Sequence, residues 1–167
     1  TVERAPGADD DGTGITALLE AARVLAGHPQ PATIKFAFLT GEESGGLGAR
    51  EFVRRAQANS ATEQLVGVLN NDMGGWMEDG RYDDTIRYAS DYLRDVEHAA
   101  AIGFTRLVTY DARYYRGTDA GAFYDAFGPI VSGIGGYPIL ASPHYHETHD
   151  NIETISPQII AEIAKTS

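Results

Sequence analysis

Ile34-Lys35-Phe36-Ala37-Phe38-Leu39-Thr40-Gly41-Glu42-Glu43-Ser44-Gly45-Gly46 is the stretch that decides how this chain is read. Residues 34–40 have the length and apolar content of a buried strand. Two adjacent glutamates close the run, and a glycine-rich turn follows. Carboxylates at the end of a core strand are costly unless something positive meets them. The mouth between a strand end and its loop is also where α/β proteins keep their sites. The pair therefore points to a cation and to metal-dependent hydrolysis.

Outward from this stretch, strands alternate with helices. Toward the N-terminus, Ala5-Pro6-Gly7-Ala8-Asp9-Asp10-Asp11-Gly12-Thr13-Gly14 is a loop by composition. A helix is expected over 15–25, with Leu18, Leu19, Ala22 and Leu25 on one face, ended by Gly27-His28-Pro29 and Pro31. Toward the C-terminus, a helix is expected over 47–58, with Phe52 and Val53 inward. Residues 65–72 read as another buried strand that ends in an acid at a Gly74-Gly75 turn. Further strands are expected at 85–89, 105–110 and 129–134, and further helices at 91–101 and 120–126. Ser156-Pro157 opens a last helix, as N-cap and first helical residue. This order predicts an α/β fold, a three-layer α/β/α sandwich with a mixed, mostly parallel central sheet, formed by residues 1–167 as one domain.

Composition narrows the partners. Of 167 residues, 24 are Asp or Glu against 13 Lys or Arg, a net charge of −11. Nucleic acid is disfavoured, because phosphate binding needs clustered cations. No apolar run is long enough for a membrane span. Only Lys35 and Lys165 are lysines, and an acidic, lysine-poor surface suits an extracellular or cell-envelope setting. There is no cysteine, so any metal must be held by His, Asp and Glu.

Candidates for that role lie in four loops: Asp9-Asp10-Asp11, Glu42-Glu43, Asp72, and His144-Tyr145-His146-Glu147-Thr148-His149-Asp150. The ends of parallel strands converge on one sheet edge, which would gather these groups. Oxygen and imidazole ligands without sulfur suit a hydrolytic Zn2+ site, or Mn2+ or Co2+ in its place. Two metals need a bridging carboxylate, and a separate carboxylate must stay free as general base. A Ca2+ loop over Asp9, Asp11, Thr13, Gly14 and Glu20 fits the spacing, but Ala5-Pro6-Gly7 forbids the incoming helix it needs. The first acids also suit a plain helix N-terminus.

The four blocks in this order closely resemble the co-catalytic zinc aminopeptidases of the bacterial leucyl aminopeptidase type, relatives of glutamate carboxypeptidase. The resemblance runs over nearly the whole chain and implies a zinc-exopeptidase-like fold acting on the N-terminal residues of peptides. It implies that Asp10 bridges two metals, that Glu43 and His146 complete the first site, and that Asp72 binds the second metal. Glu42 would be the general base on a metal-bound water, and the Asp10–Asp11 peptide bond would be cis. Asp11 and Asp119 would support the site, and Tyr115, in an aromatic and basic loop, would line a substrate pocket or plain surface. A carboxypeptidase or other amide hydrolase of the same fold, or a non-catalytic domain on the same scaffold, are the alternatives.

One departure stands out. The family's second metal also takes a histidine from an upstream His-x-Asp motif, and none of the nine residues before Asp10 is histidine. The start at Thr1 leads to the expectation of a missing upstream segment, of one complete and one incomplete metal site, and of exposed sheet edges that favour homo-oligomerisation. His28 and His98 are expected to be structural, and His144 and His149 to sit at the rim. Trp76 would shape the cleft or pack.

Overall fold

The computed structural model describes residues 5–167. Five helices, α1 (Gly12–Leu25), α2 (Leu47–Ala58), α3 (Asp91–Phe104), α4 (Ala120–Phe127) and α5 (Pro157–Thr166), flank strands β1 (Val68–Leu69), β2 (Asp83–Arg87), β3 (Val108–Ala112), β4 (Val131–Ser132) and β5 (Ile134–Gly136). β1 pairs with β4 in parallel, β2 with β3 in parallel, and β2 with β5 antiparallel. Backbone bonds from Asp72 to Ile134 and from Arg87 to Gly133 stitch the two ladders into one mixed sheet.

Two apolar cores lie on its opposite faces. Ala17 of α1, Ala101 of α3 and Ile159, Ile160 and Ile163 of α5 enclose Ile134 on one side. Ala49 and Val53 of α2 pack with Ala120 and Phe123 of α4 against Val131 on the other. Val131 and Ile134 thus face different layers of a three-layer sandwich, as the alternation of strand side chains requires.

The expected helices form, several with a longer end. Asp11 caps α1 by accepting from the Gly14 amide, and Ser90 caps α3 through Leu93. The inward stripe of α1 differs from expectation: Thr13, Ala17 and Ala21 are buried, whereas Leu19 is exposed. Small residues win because α1 lies close along α5.

The larger correction concerns residues 34–40. Among the described residues they form no strand and join no ladder. A strand needs a neighbour's amides and carbonyls, and the Thr40 carbonyl accepts from Gly48 in α2 instead. Ile34 and Phe38 stay about half exposed. Between residues 37–41 and 69–72 lies a cavity of about 280 Å³, with Ile15 and Leu18 of α1 also in its wall.

Candidate metal centre

The first acidic block is held by a set of hydrogen bonds that aim Asp10 outward. The Asp150 carboxylate accepts from the Asp9 amide at 2.9 Å and from the Asp10 amide at 3.1 Å. Buried Asp9 accepts from the Gly75 amide and the Thr13 hydroxyl. Asp11 accepts from Gly14 and from the Met73 amide, which fastens the block to the Asp72 turn. This contact needs glycine at 14, since a Cβ there would fall 2.4 Å from an Asp11 carboxylate oxygen. The Asp10–Asp11 bond is cis, as the resemblance implied.

Asp10, Glu43 and His146 converge. One ligand atom from each lies within 4.8 Å of the others. His146 Nε2 is 2.8 Å from Glu43 and 3.2 Å from Asp10, although Glu43 and His146 are 103 residues apart. Burial, then the neighbouring Asp72 and Glu43, push the Asp10 carboxyl up to about 7. Glu42 is raised by burial and by the Glu43 and Asp72 charges. Two carboxylates and an imidazole at this spacing, crowded by further acids, fit a divalent cation with oxygen and nitrogen ligands. A cation there reverses the crowding and favours the ionised acids.

Asp72 sits behind this group at the end of the 68–72 segment. Its pKa is raised by burial and held back by Arg87, whose guanidinium lies 3.6 Å away and is itself buried. Gly135 makes room for the pair: a Cβ there would meet Arg87 and the Asp72 carbonyl at 2.3 Å. Arg87 also lies over the Tyr114 ring. Asp119 is raised by burial and by Asp72, and one of its buried oxygens has no partner among the described residues.

Other expected residues lie apart from the three ligands. Tyr115 packs against Tyr124, with Arg116 across both rings. His144 and His149 pair with each other at 2.9 Å. His98 ties α3 to β3 through Thr109 and Asp111, and Trp76 is half-buried. The Ca2+-loop reading fails in three dimensions: Glu20 points outward and pairs with Arg23, inside a helix that starts at Gly12.

Sequence reasoning missed Arg87, Asp150 and Tyr145. A lone cation inside the expected 85–89 strand was the signal for Arg87, since a core charge needs a counter-charge. Asp150 closes the histidine block but carries no local mark of its reach to Asp9 and Asp10. Tyr145 stacks on His146 with ring centres 3.8 Å apart, and its hydroxyl is pushed up to about 12 by burial and by Glu43.

Comparison with known proteins agrees with this geometry. The model of the family described as Peptidase family M28 matches residues 1–167. Leucine aminopeptidase 1 of Trichophyton rubrum is 30% identical over 178 residues, which cover 97% of this chain and 47% of that protein. Leucine aminopeptidase 1 of Arthroderma otae is 31% identical with the same coverage. The chain thus spans about half the length of these relatives. Among solved structures, an aminopeptidase from Aneurinibacillus sp. strain AM-1 superimposes with a TM-score of 0.81 at 23% identity, over 99% of this chain and 40% of that one. Glutaminyl cyclase from Porphyromonas gingivalis follows the same fold at a TM-score of 0.70 and 22% identity, over 97% and 61%. Likeness of this degree speaks for the fold alone.

Proposed function

Since the chain belongs to peptidase family M28, we propose that it is the catalytic domain, or part of it, of a metal-dependent aminopeptidase that hydrolyses N-terminal residues of peptides. The observation that carries this reading is the meeting of Asp10, Glu43 and His146 beside a third carboxylate, Glu42, that is left out of the ligand group. A binding module has no need of a free base next to a ligand.

In this reading Asp10, Glu43 and His146 hold Zn2+, with Mn2+ or Co2+ as substitutes. The bound ion supplies Lewis acidity, polarising the scissile carbonyl and acidifying water. Glu42 takes the proton from the attacking water and delivers it to the departing amine; burial and its acidic neighbours raise its proton affinity toward that task. Asp10 and Asp72 supply negative charge for the α-ammonium of the substrate. Arg87 opposes the rise that burial imposes on the Asp72 carboxyl and holds it in place, and Asp150 and Asp11 hold the loop that carries Asp10. Tyr145, stacked on His146, fixes the imidazole and keeps a protonated hydroxyl at the rim.

In the same reading Asp10 and Asp72 would contribute to a second metal, which would need a further ligand to complete its site. The acidic, lysine-poor composition favours a place outside the cytoplasm. No helix among the described residues is long and apolar enough to cross a membrane.

The test is to quantify bound zinc and then follow hydrolysis of leucyl-4-nitroanilide by the parent protein and by Glu42→Gln. Zinc retained with turnover lost in the variant supports the assignment. Turnover indifferent to Glu42→Gln removes Glu42 from the mechanism, and zinc bound without turnover in the parent favours a non-catalytic scaffold.

A further inference from the structure

A groove of about 620 Å³ runs outward from Glu42 between α2 and α4. It lies across the Glu42 turn from the cavity beside β1, and the metal chemistry makes no use of it. Both helices begin at its inner end. A Cβ on Gly46, at the start of α2, would stand 3.5 Å from the Asp119 carboxylate at the start of α4. From there the wall formed by α2 presents Arg50 and then Arg54, one helical turn further out. The opposite wall presents Arg116.

The charges are graded along this path. Glu42 and Asp119 make the inner end acidic, and three of the chain's 13 cations line the outer part together with one acid, Asp125. Arg54 is held by both oxygens of Glu51, and Arg116 is paired with Asp125 at 2.7 Å. Arg50 is exposed and has no ion-pair partner among the described residues. The cationic outer part of the groove complements the C-terminal carboxylate of a short peptide whose α-ammonium lies at Asp10 and Asp72, on the other side of Glu42. The scale also matches. From Gly46, beside the inner end, Arg50 lies one helical turn out, about 6 Å of rise, close to the roughly 7 Å span of two extended residues.

We propose that this groove receives the leaving part of the substrate and that Arg50 binds its free C-terminal carboxylate, so that tripeptides with an unblocked C-terminus are preferred. The assignment rests on the aminopeptidase reading above for which bond is cut, but the binding it describes can be measured without turnover.

The experiment compares Leu-Gly-Gly with its C-terminal amide on the zinc-loaded protein. Kd is measured calorimetrically in a Glu42→Gln background, and kcat/KM in the parent. The acid should bind about fivefold more tightly than the amide, the scale of one solvent-exposed charge pair. The ratio should fall to about one in Arg50→Met and invert in Arg50→Glu, and added salt should shrink it. Equal binding of acid and amide by the parent overturns the proposal, as does a ratio unchanged in both Arg50 variants. A carboxylate preference in binding without hydrolysis of either peptide supports the groove and overturns the aminopeptidase reading. Hydrolysis without that preference does the reverse.

Discussion

Replacing Glu97 with glutamine should stabilise the metal-free protein above neutral pH and leave it almost unchanged in acid. Glu97 lies in α3 and is 2% exposed. Its carboxylate accepts from the Ser132 hydroxyl and the Gly133 amide, which hold α3 to the β4–β5 crossing. Burial outweighs those two bonds and pushes the pKa from the ordinary 4.5 up to about 7. The folded state then binds the proton more tightly than the unfolded chain does, so stability falls as pH rises. The contribution is fully present below pH 4.5 and is lost through about pH 7. At about 1.4 kcal/mol for each tenfold change in proton affinity, the loss is on the order of 3 kcal/mol. Glutamine has a similar shape, stays neutral and still offers an oxygen to Ser132 or Gly133. Glu97→Gln should therefore exceed the parent by about 2–3 kcal/mol at pH 8 and differ by less than about 1 kcal/mol at pH 4.5. Urea unfolding followed by the single tryptophan, Trp76, with chelator present, gives both values from midpoint and slope. Equal stability at pH 8, or the same difference at both pH values, would show that Glu97 does not titrate as a buried carboxyl.

Further predictions concern the site. Glu42→Gln should lower kcat by about 10²–10⁴-fold with the bound-zinc content unchanged; loss of zinc would make Glu42 a ligand instead. Arg87→Met strips the buried counter-charge from Asp72 and should cost about 3–5 kcal/mol, the scale for breaking a buried pair. A cost below about 1 kcal/mol in urea unfolding would deny that the 3.6 Å contact matters. Asp150→Asn replaces one of the two acceptors that hold the Asp9 and Asp10 amides. Zinc affinity by chelator competition should drop about tenfold, and an unchanged affinity would refute the tie. Zinc should raise the thermal midpoint more at pH 8 than at pH 5, because a proton competes at Asp10, whose pKa is about 7. An equal rise at both would count against Asp10 as a ligand.

Much of the fold was legible locally. The helix over 47–58 matches its expected ends, and α3 starts where Ser90 can cap it. Such features follow from periodicity and end signals within a few residues. The run over 34–40 read as a strand because its residues are apolar, yet a ladder depends on what lies beside it. The inward stripe of α1 went to alanines rather than leucines for a similar reason: contact with α5 set the separation, and side-chain volume had to comply.

For the site, residue type in this cysteine-free chain marked the acidic and histidine clusters as metal-holding loops, and the resemblance to the zinc aminopeptidases singled out Asp10, Glu42, Glu43, Asp72 and His146 within them. The sequence by itself determined that acids and histidines cap successive elements of an α/β chain, since capping, turn chemistry and apolar period are local properties. Only the tertiary structure decided that Asp10, Glu43 and His146 touch, that Arg87 lies beneath Asp72 and that Asp150 carries the Asp10 loop. Those distances are set by how the sheet and helices pack, which brings together groups more than a hundred residues apart. Arg50 belongs to the same class: in the sequence it is one exposed helix cation, and it becomes part of a groove wall only when α4 is laid beside α2.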